Sequence, residues 1–113
     1  MKTALISDIH SNHEALAACV RHAQAEGVER FIALGDYINY GADPAASLDL
    51  LMSLPGLIAV RGNHDDALWG GGMQTSAPIR HALAWTQTQL QQHHRAFLQV
   101  LAYSYQEHDA TYV

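Results

Sequence analysis

The chain has 113 residues, 49% of them hydrophobic and 15% charged, a length and composition for one compact domain or part of one, with no tract of the disordered or collagenous kind. Six Lys and Arg against eleven Asp and Glu leave a net charge of −5 and no basic stripe along which a phosphate backbone would lie, so general nucleic-acid binding is not expected. No apolar run approaches the ~18 residues of a membrane span, and the opening MKTALISDIH turns polar too early for a signal-peptide core, so a cytoplasmic location without membrane partners is expected.

Lys2 to Ser7 is an apolar run of strand length that leads into Ser11-Asn12-His13-Glu14, the pattern of a capping box with Ser11 as N-cap. Over Ala15 to Glu26, Leu16, Cys19, Val20 and Ala23 recur at helical spacing and predict one buried stripe, with Gly27 as the stop. Arg30 to Gly35 predicts a second buried strand. Asp43-Pro44 then sets an N-cap and an N1 proline before a helix carrying Leu48, Leu51 and Met52. Leu57 to Val60 predicts a third strand, so the first half reads β-α-β-α-β, an α/β class with a parallel sheet and right-handed crossovers. Arg61 to Asp66 reads as a turn before a short helical stretch, and Gly70-Gly71-Gly72 as a flexible break. Ser76 and Pro78 open a helix with Ile79, Ala82, Leu83 and Leu90 on its apolar face, and Phe97, Leu98 and Leu101 predict a further turn or two. Tyr103 and Tyr105 then predict a strand, Glu107 to Asp109 a turn, and Ala110 to Val113 the start of another strand.

Histidine is the outlier of the composition, with eight residues against six Lys and Arg. In open parallel sheets, ligands bind outside the carboxyl ends of the strands. The first predicted strand ends in Asp8-Ile9-His10, the second in Gly35-Asp36 and the third in Gly62-Asn63-His64-Asp65. Each segment alone reads as a cap or a turn, but independent turns have no reason to choose ligand side chains at all three ends. Carboxylates, imidazole and an amide oxygen form a mixed donor set suited to Mn, Fe, Zn, Ni or Mg, and the single Cys19 leaves no thiolate site. Asp8 and His10 are alternate residues, which an extended chain would point at one ion. The two oxygens of Asp36 suffice to bridge two ions ~3.5–4 Å apart.

On D8-I-H10, G35-D36 and G62-N63-H64-D65, with SDIHSN, GDYINYGADP and VRGNHD around them, the sequence resembles the calcineurin-like metallophosphoesterases, in particular their small bacterial phosphodiesterase branch. The resemblance covers essentially the whole chain and implies an αββα sandwich. It implies two divalent metal ions, the first bound by Asp8 and His10, both bridged by Asp36, and the second bound by Asn63. A hydroxide between them would attack the phosphorus of a phosphomonoester or phosphodiester, in a small molecule or nucleotide, with His64 as proton donor or charge stabiliser. Some relatives pair that histidine with an aspartate three residues after the bridging Asp. Asn39 stands there in this chain, and its amide oxygen is expected to orient the imidazole without supplying a charge. Asp65 and Arg61 complete the supporting or substrate-facing set, Arg61 as the nearest cation to a substrate phosphate.

The family's later histidines, in a V-H-G strand and a G-H-x-H motif, have no counterpart in this sequence, and Thr111-Tyr112-Val113 resembles the residues just before the first of them. The expectation is that residues 1–113 form the N-terminal part of a single metallophosphoesterase domain, the β-α-β-α-β half plus following helices, with missing metal ligands that favour inactivity of this piece as it stands. The absent second sheet would leave an apolar face to be covered in a homodimer or a swapped oligomer. His108 and Asp109 are candidate substitute ligands, in an exposed turn that argues against them. The alternative to an enzyme is a truncated or degenerate metal-binding or interaction module. A nucleotide-binding domain of another kind is disfavoured because no glycine-rich loop follows the first strand. His13, His22, His81, His93 and His94 receive no role, the last three being assigned to the surface. Tyr37 and Tyr40 are expected at the pocket mouth.

Overall fold

The computed structural model describes residues 1–70 and 76–113. Of the expected break at Gly70-Gly71-Gly72, residues 71 and 72 lie outside the described residues. Strand β1 (Thr3–Ile6) is followed by α1 (His13–Ala25), β2 (Arg30–Ala33), α2 (Pro44–Met52) and β3 (Ile58–Ala59). The three strands form a parallel sheet in the order β1-β2-β3, with Thr3 opposite Arg30, Ile6 opposite Ala33, and Ala33 opposite Ala59. Successive crossovers of the same hand put α1 and α2 on one side, and the two helices pack against each other.

Phe31 and Ala33 face those helices and join Leu16, Val20, Ala23, Leu48 and Leu51 in the core. The pleat turns Ile32 to the opposite side, in a cross-strand row with Leu5 and Ile58. That row is open at its β1 end, where Leu5 is 57% exposed. Cys19 departs from the expected stripe. It is exposed and lines a groove beside β1 with Leu5, Asp8 and Leu16, because Leu16, Val20 and Ala23 already complete the buried face of α1.

The cap of α1 also differs from expectation. Asn12, not Ser11, is the N-cap, and its Oδ1 accepts the Ala15 N–H at 3.1 Å. Ser11 is buried one residue earlier with a positive φ, so the chain is still turning where the capping box was placed.

The segment read as a turn starts a helix, α3 (Asn63–Ala67), with Gly62 as N-cap and Pro-free backbone throughout. Helices α4 (Ala77–Gln89) and α5 (Gln92–Gln99) follow, and both pack against α2. An antiparallel hairpin, β4 (Tyr105–Glu107) and β5 (Ala110–Tyr112), closes the chain. Ala102 forms an isolated parallel bridge with Val60, just past the end of β3. The hairpin is tied to the beginning of β2 by Arg30, whose two terminal nitrogens donate to Glu107 at 2.8 and 2.6 Å. No helix among the described residues is long and apolar enough to cross a membrane.

Candidate metal centre

The loops beyond the carboxyl ends of β1 and β2 are joined backbone to backbone. The Asp8 N–H donates to Gly35 O at 3.1 Å, His10 N–H to Asp36 O at 3.0 Å, and Ser11 N–H to Tyr37 O at 2.9 Å. The loop after β3 approaches so closely that only glycine fits. A Cβ on Gly35, where φ is +102°, would lie 2.6 Å from Gly62 N, and a Cβ on Gly62 would overlap the Asp36 carboxylate, 2.8 Å from its Cγ.

These loops are built from left-handed residues: Asp8, His10, Ser11, Asp36, Asn39 and Tyr40 have φ between 47° and 73°. For L-residues that conformation costs about 1–2 kcal/mol each, least for Asn and Asp. The expectation that an extended chain aligns Asp8 with His10 is therefore corrected. The chain turns left-handed at both, and their proximity, 3.6 Å from Asp8 Oδ1 to His10 Nε2, is a product of the loop.

His10 has one ring nitrogen fixed by the backbone and the other turned to the site. Its Nδ1 lies 3.0 Å from the Ile38 carbonyl, which can only accept, so Nδ1 carries the proton and the Nε2 lone pair faces the site. Donor atoms of His10, Asp36 and His64 lie within 4.8 Å of one another. The Asn63 amide end facing Asp36 is 3.2 Å from both carboxylate oxygens. Nitrogen inward, it donates to them; oxygen inward, it sets three acceptors together, an arrangement that a cation satisfies. Donor types, a proton-fixed imidazole and converging acceptors all fit a divalent ion.

Asp65 is fully buried, and its carboxylate is spent on backbone donors. Its Oδ2 accepts the N–H of Asp36 at 2.8 Å and of Gly62 at 2.9 Å, and its Oδ1 the N–H of Tyr37 at 2.9 Å. Burial pushes its carboxyl up to about 6, against the lowering effect of those three donors. Asp36 Oδ1 in turn accepts the His64 N–H at 3.0 Å. Tyr37 is also buried rather than at the pocket mouth. Its single hydroxyl proton is shared between Val60 O at 2.6 Å and Ala33 O at 2.9 Å, and its oxygen receives the Gly35 N–H at 3.1 Å.

Asn39 contacts His64 as expected, but through its nitrogen. Asn39 Oδ1 accepts the Tyr40 N–H at 2.9 Å, which leaves Nδ2 facing His64 Nδ1 at 3.2 Å. An amide nitrogen donates, so Nδ1 accepts and the neutral imidazole carries its proton on Nε2. Burial holds His64 below its ordinary value, with the Asp36 charge pulling the other way.

Arg61 is committed elsewhere. It pairs with Asp66 at 3.1 Å, donates to Gln99 O at 2.7 Å and to Leu98 O at 3.3 Å, and packs over Tyr103. These partners come from α3 and the end of α5, so its guanidinium ties those segments together in place of the expected phosphate contact. His108 and Asp109 occupy the hairpin turn beside Glu107, next to the start of β2, whereas the site lies past its end. They do not join the ligands.

A second cluster, Asp49, His93 and His94, brings three donor atoms together on α2 and α5. His94, assigned to the surface by sequence, is 1% exposed. Its Nδ1 accepts the Gln91 N–H at 3.0 Å, so its Nε2 carries a proton and donates to Asp49 Oδ1 at 2.7 Å. His93 reaches the same oxygen at 2.9 Å. This is a hydrogen-bonded clamp between helices whose buried imidazole has no lone pair to offer an ion. Sequence reasoning missed it because His94 and Asp49 are 45 positions apart. It also carried no signal for the Ile38 carbonyl, a backbone group.

Residues 1–106 match the family model for calcineurin-like phosphoesterases. An uncharacterized protein of Methanocaldococcus jannaschii is 42% identical over 67 residues, 59% of this chain and 27% of that protein. The crystal structure of a metallophosphoesterase from Sphaerobacter thermophilus superimposes with a TM-score of 0.76 at 33% identity, covering 98% of this chain and 45% of that one. A hypothetical protein from Pyrococcus horikoshii OT3 shares the fold, with a TM-score of 0.78 at 17% identity, covering 91% of this chain and 48% of that one. The chain thus spans under half the length of these solved neighbours and about a quarter of the curated relative.

Proposed function

The chain belongs to the calcineurin-like phosphoesterase family, and on that premise we propose that it is the metal-binding part of a divalent-metal-dependent hydrolase of phosphate mono- or diesters of small molecules or nucleotides. Asp8, His10 and Asp36 would hold one ion and Asp36 with Asn63 a second, drawn from Mn, Fe, Zn, Ni and Mg. The observation that carries the reading is the His10 imidazole, whose Nδ1 is tied to Ile38 O at 3.0 Å so that the Nε2 lone pair is left for an ion beside Asp36.

Bound there, such ions would supply charge neutralisation at phosphoryl oxygens and a lowered pKa for water. The chain's own residues position and donate. Asp65 and Gly62 hold the Asp36 loop in place. His64, fixed by Asn39 with its proton on Nε2, donates to a phosphoryl oxygen or to the departing alkoxide.

The length relation supports a second reading, a metal-binding module that does not turn over by itself, because more than half of each solved neighbour's chain has no counterpart here. Elemental analysis and hydrolysis of an aryl phosphodiester with added Mn²⁺, comparing wild type with Asp36→Asn, separate the two. Metal-dependent turnover abolished by Asp36→Asn supports the hydrolase. Bound metal without turnover selects the module. Absence of bound metal overturns both.

A further inference from the structure

Tyr40 is a large aromatic residue that the fold holds in a costly way for no gain in burial. The residue is 55% exposed, and both Tyr40 and Asn39 are left-handed, with φ of 67° and 73°. The loop is nevertheless closely fastened. The Tyr40 N–H donates to Asn39 Oδ1 at 2.9 Å, the Gly41 N–H to His10 O at 3.0 Å, and the Asp43 N–H to Ser11 O at 3.0 Å. Backbone strain retained at an exposed position points to a role outside packing.

That position stands over both histidines of the site. The Tyr40 ring centroid is 4.8 Å from that of His10 and 4.8 Å from that of His64, and its hydroxyl is 3.4 Å from His64 Nε2. Since Asn39 Nδ2 occupies His64 Nδ1, Nε2 is a donor and cannot accept the tyrosine proton. The Tyr40 O–H is therefore available for another acceptor. Two donor atoms 3.4 Å apart can both reach one oxygen at ordinary hydrogen-bond length. Tyr40 also lines a cleft of about 530 Å³ together with Asp8 and His10, two of the proposed metal ligands.

We infer that Tyr40 is a substrate-contacting residue, its hydroxyl and His64 Nε2 forming a two-donor cradle for one oxygen of a tetrahedral phosphoryl group. The inference rests on the metal-dependent phosphoesterase reading above. Tyr40→Phe removes only the hydroxyl and keeps the ring against both histidines. The probes are Mn²⁺ alone and then inorganic phosphate, titrated calorimetrically into the 113-residue chain. With Tyr40→Phe, phosphate affinity of the Mn²⁺-loaded protein should fall about tenfold, as for a hydrogen bond to a charged group, while Mn²⁺ affinity stays within about twofold of wild type. Phosphate affinity unchanged by Tyr40→Phe, or wild-type protein that binds Mn²⁺ but no phosphate, overturns this inference while leaving the metal centre intact. Failure of the wild type to bind Mn²⁺ overturns the metal centre and this inference together.

Discussion

Asp65 Oδ2 receives the backbone N–H of Asp36 at 2.8 Å, so the carboxylate at the centre of the site is positioned by a second, buried carboxylate from the neighbouring loop. Asp65→Asn would keep the shape but turn an amide NH₂ toward backbone donors. One or more buried N–H groups then lose their acceptor, at about 1–3 kcal/mol each. Chemical denaturation should show a loss in that range, and calorimetry a weaker Mn²⁺ site. An Asp65→Asn protein as stable as wild type would remove the bracing role.

Gly62 and Gly27 make a controlled comparison. A Cβ at Gly62 meets Asp36, whereas at Gly27 nothing lies within 4 Å, though φ is +74°. Gly27→Ala should therefore cost only the left-handed strain, about 1 kcal/mol, and leave metal affinity alone. Gly62→Ala should displace the Asp36 carboxylate and weaken Mn²⁺ binding at least about tenfold, the size of one lost charged contact. Equal Mn²⁺ affinities for the two variants would contradict the close approach.

Hydrogen bonding from Arg30 holds Glu107 below its ordinary value of 4.5. For a depressed carboxylate the folded state binds fewer protons, so its stabilising contribution is full above pH 4.5 and is lost as pH falls through the lower folded value. Protection of the β4–β5 hairpin amides, measured relative to the intrinsic exchange rate at each pH, should therefore fall on acidification below that range. In Glu107→Gln the hairpin should be looser at neutral pH, with that acid-dependent step gone.

The Asp49–His93–His94 cluster serves as a helix clamp. His94→Ala deletes the acceptor for the Gln91 N–H and the donor to Asp49 at once and leaves a buried void, for an expected loss of about 2–4 kcal/mol. Asp49→Asn, which retains an acceptor oxygen, should cost less. Bound-metal stoichiometry should be the same in Asp49→Asn as in wild type; a drop by one ion would show the cluster to be a metal site after all.

Local pattern carried the strand–helix alternation. Apolar runs of strand length, Asp43-Pro44 at the start of α2 and the stripe Leu16, Val20, Ala23 depend on residues a few positions apart, and each appears where expected. The cap of α1 slipped by one residue because Ser11 and Asn12 are both good caps, and the choice was made by Tyr37 O accepting the Ser11 N–H. Cys19 matched the helical period, yet among the described residues it is left exposed on its side of α1.

For the site, chain order was enough to say which side chains stand at the three strand ends, since a parallel β-α-β-α-β chain brings Asp8, Asp36 and Asn63 to one edge. Their arrangement belonged to the tertiary structure. The left-handed turns at Asp8 and His10, the Ile38 carbonyl behind His10, the Asn39 nitrogen on His64, the Asp65 brace and the diversion of Arg61 to α3 and the end of α5 all depend on the folded loops. Most of these contacts join residues about 25 to 40 positions apart. Spacing along a chain specifies period and capping, but which buried donor meets which acceptor is decided only when distant loops are packed closely enough to exclude water from both.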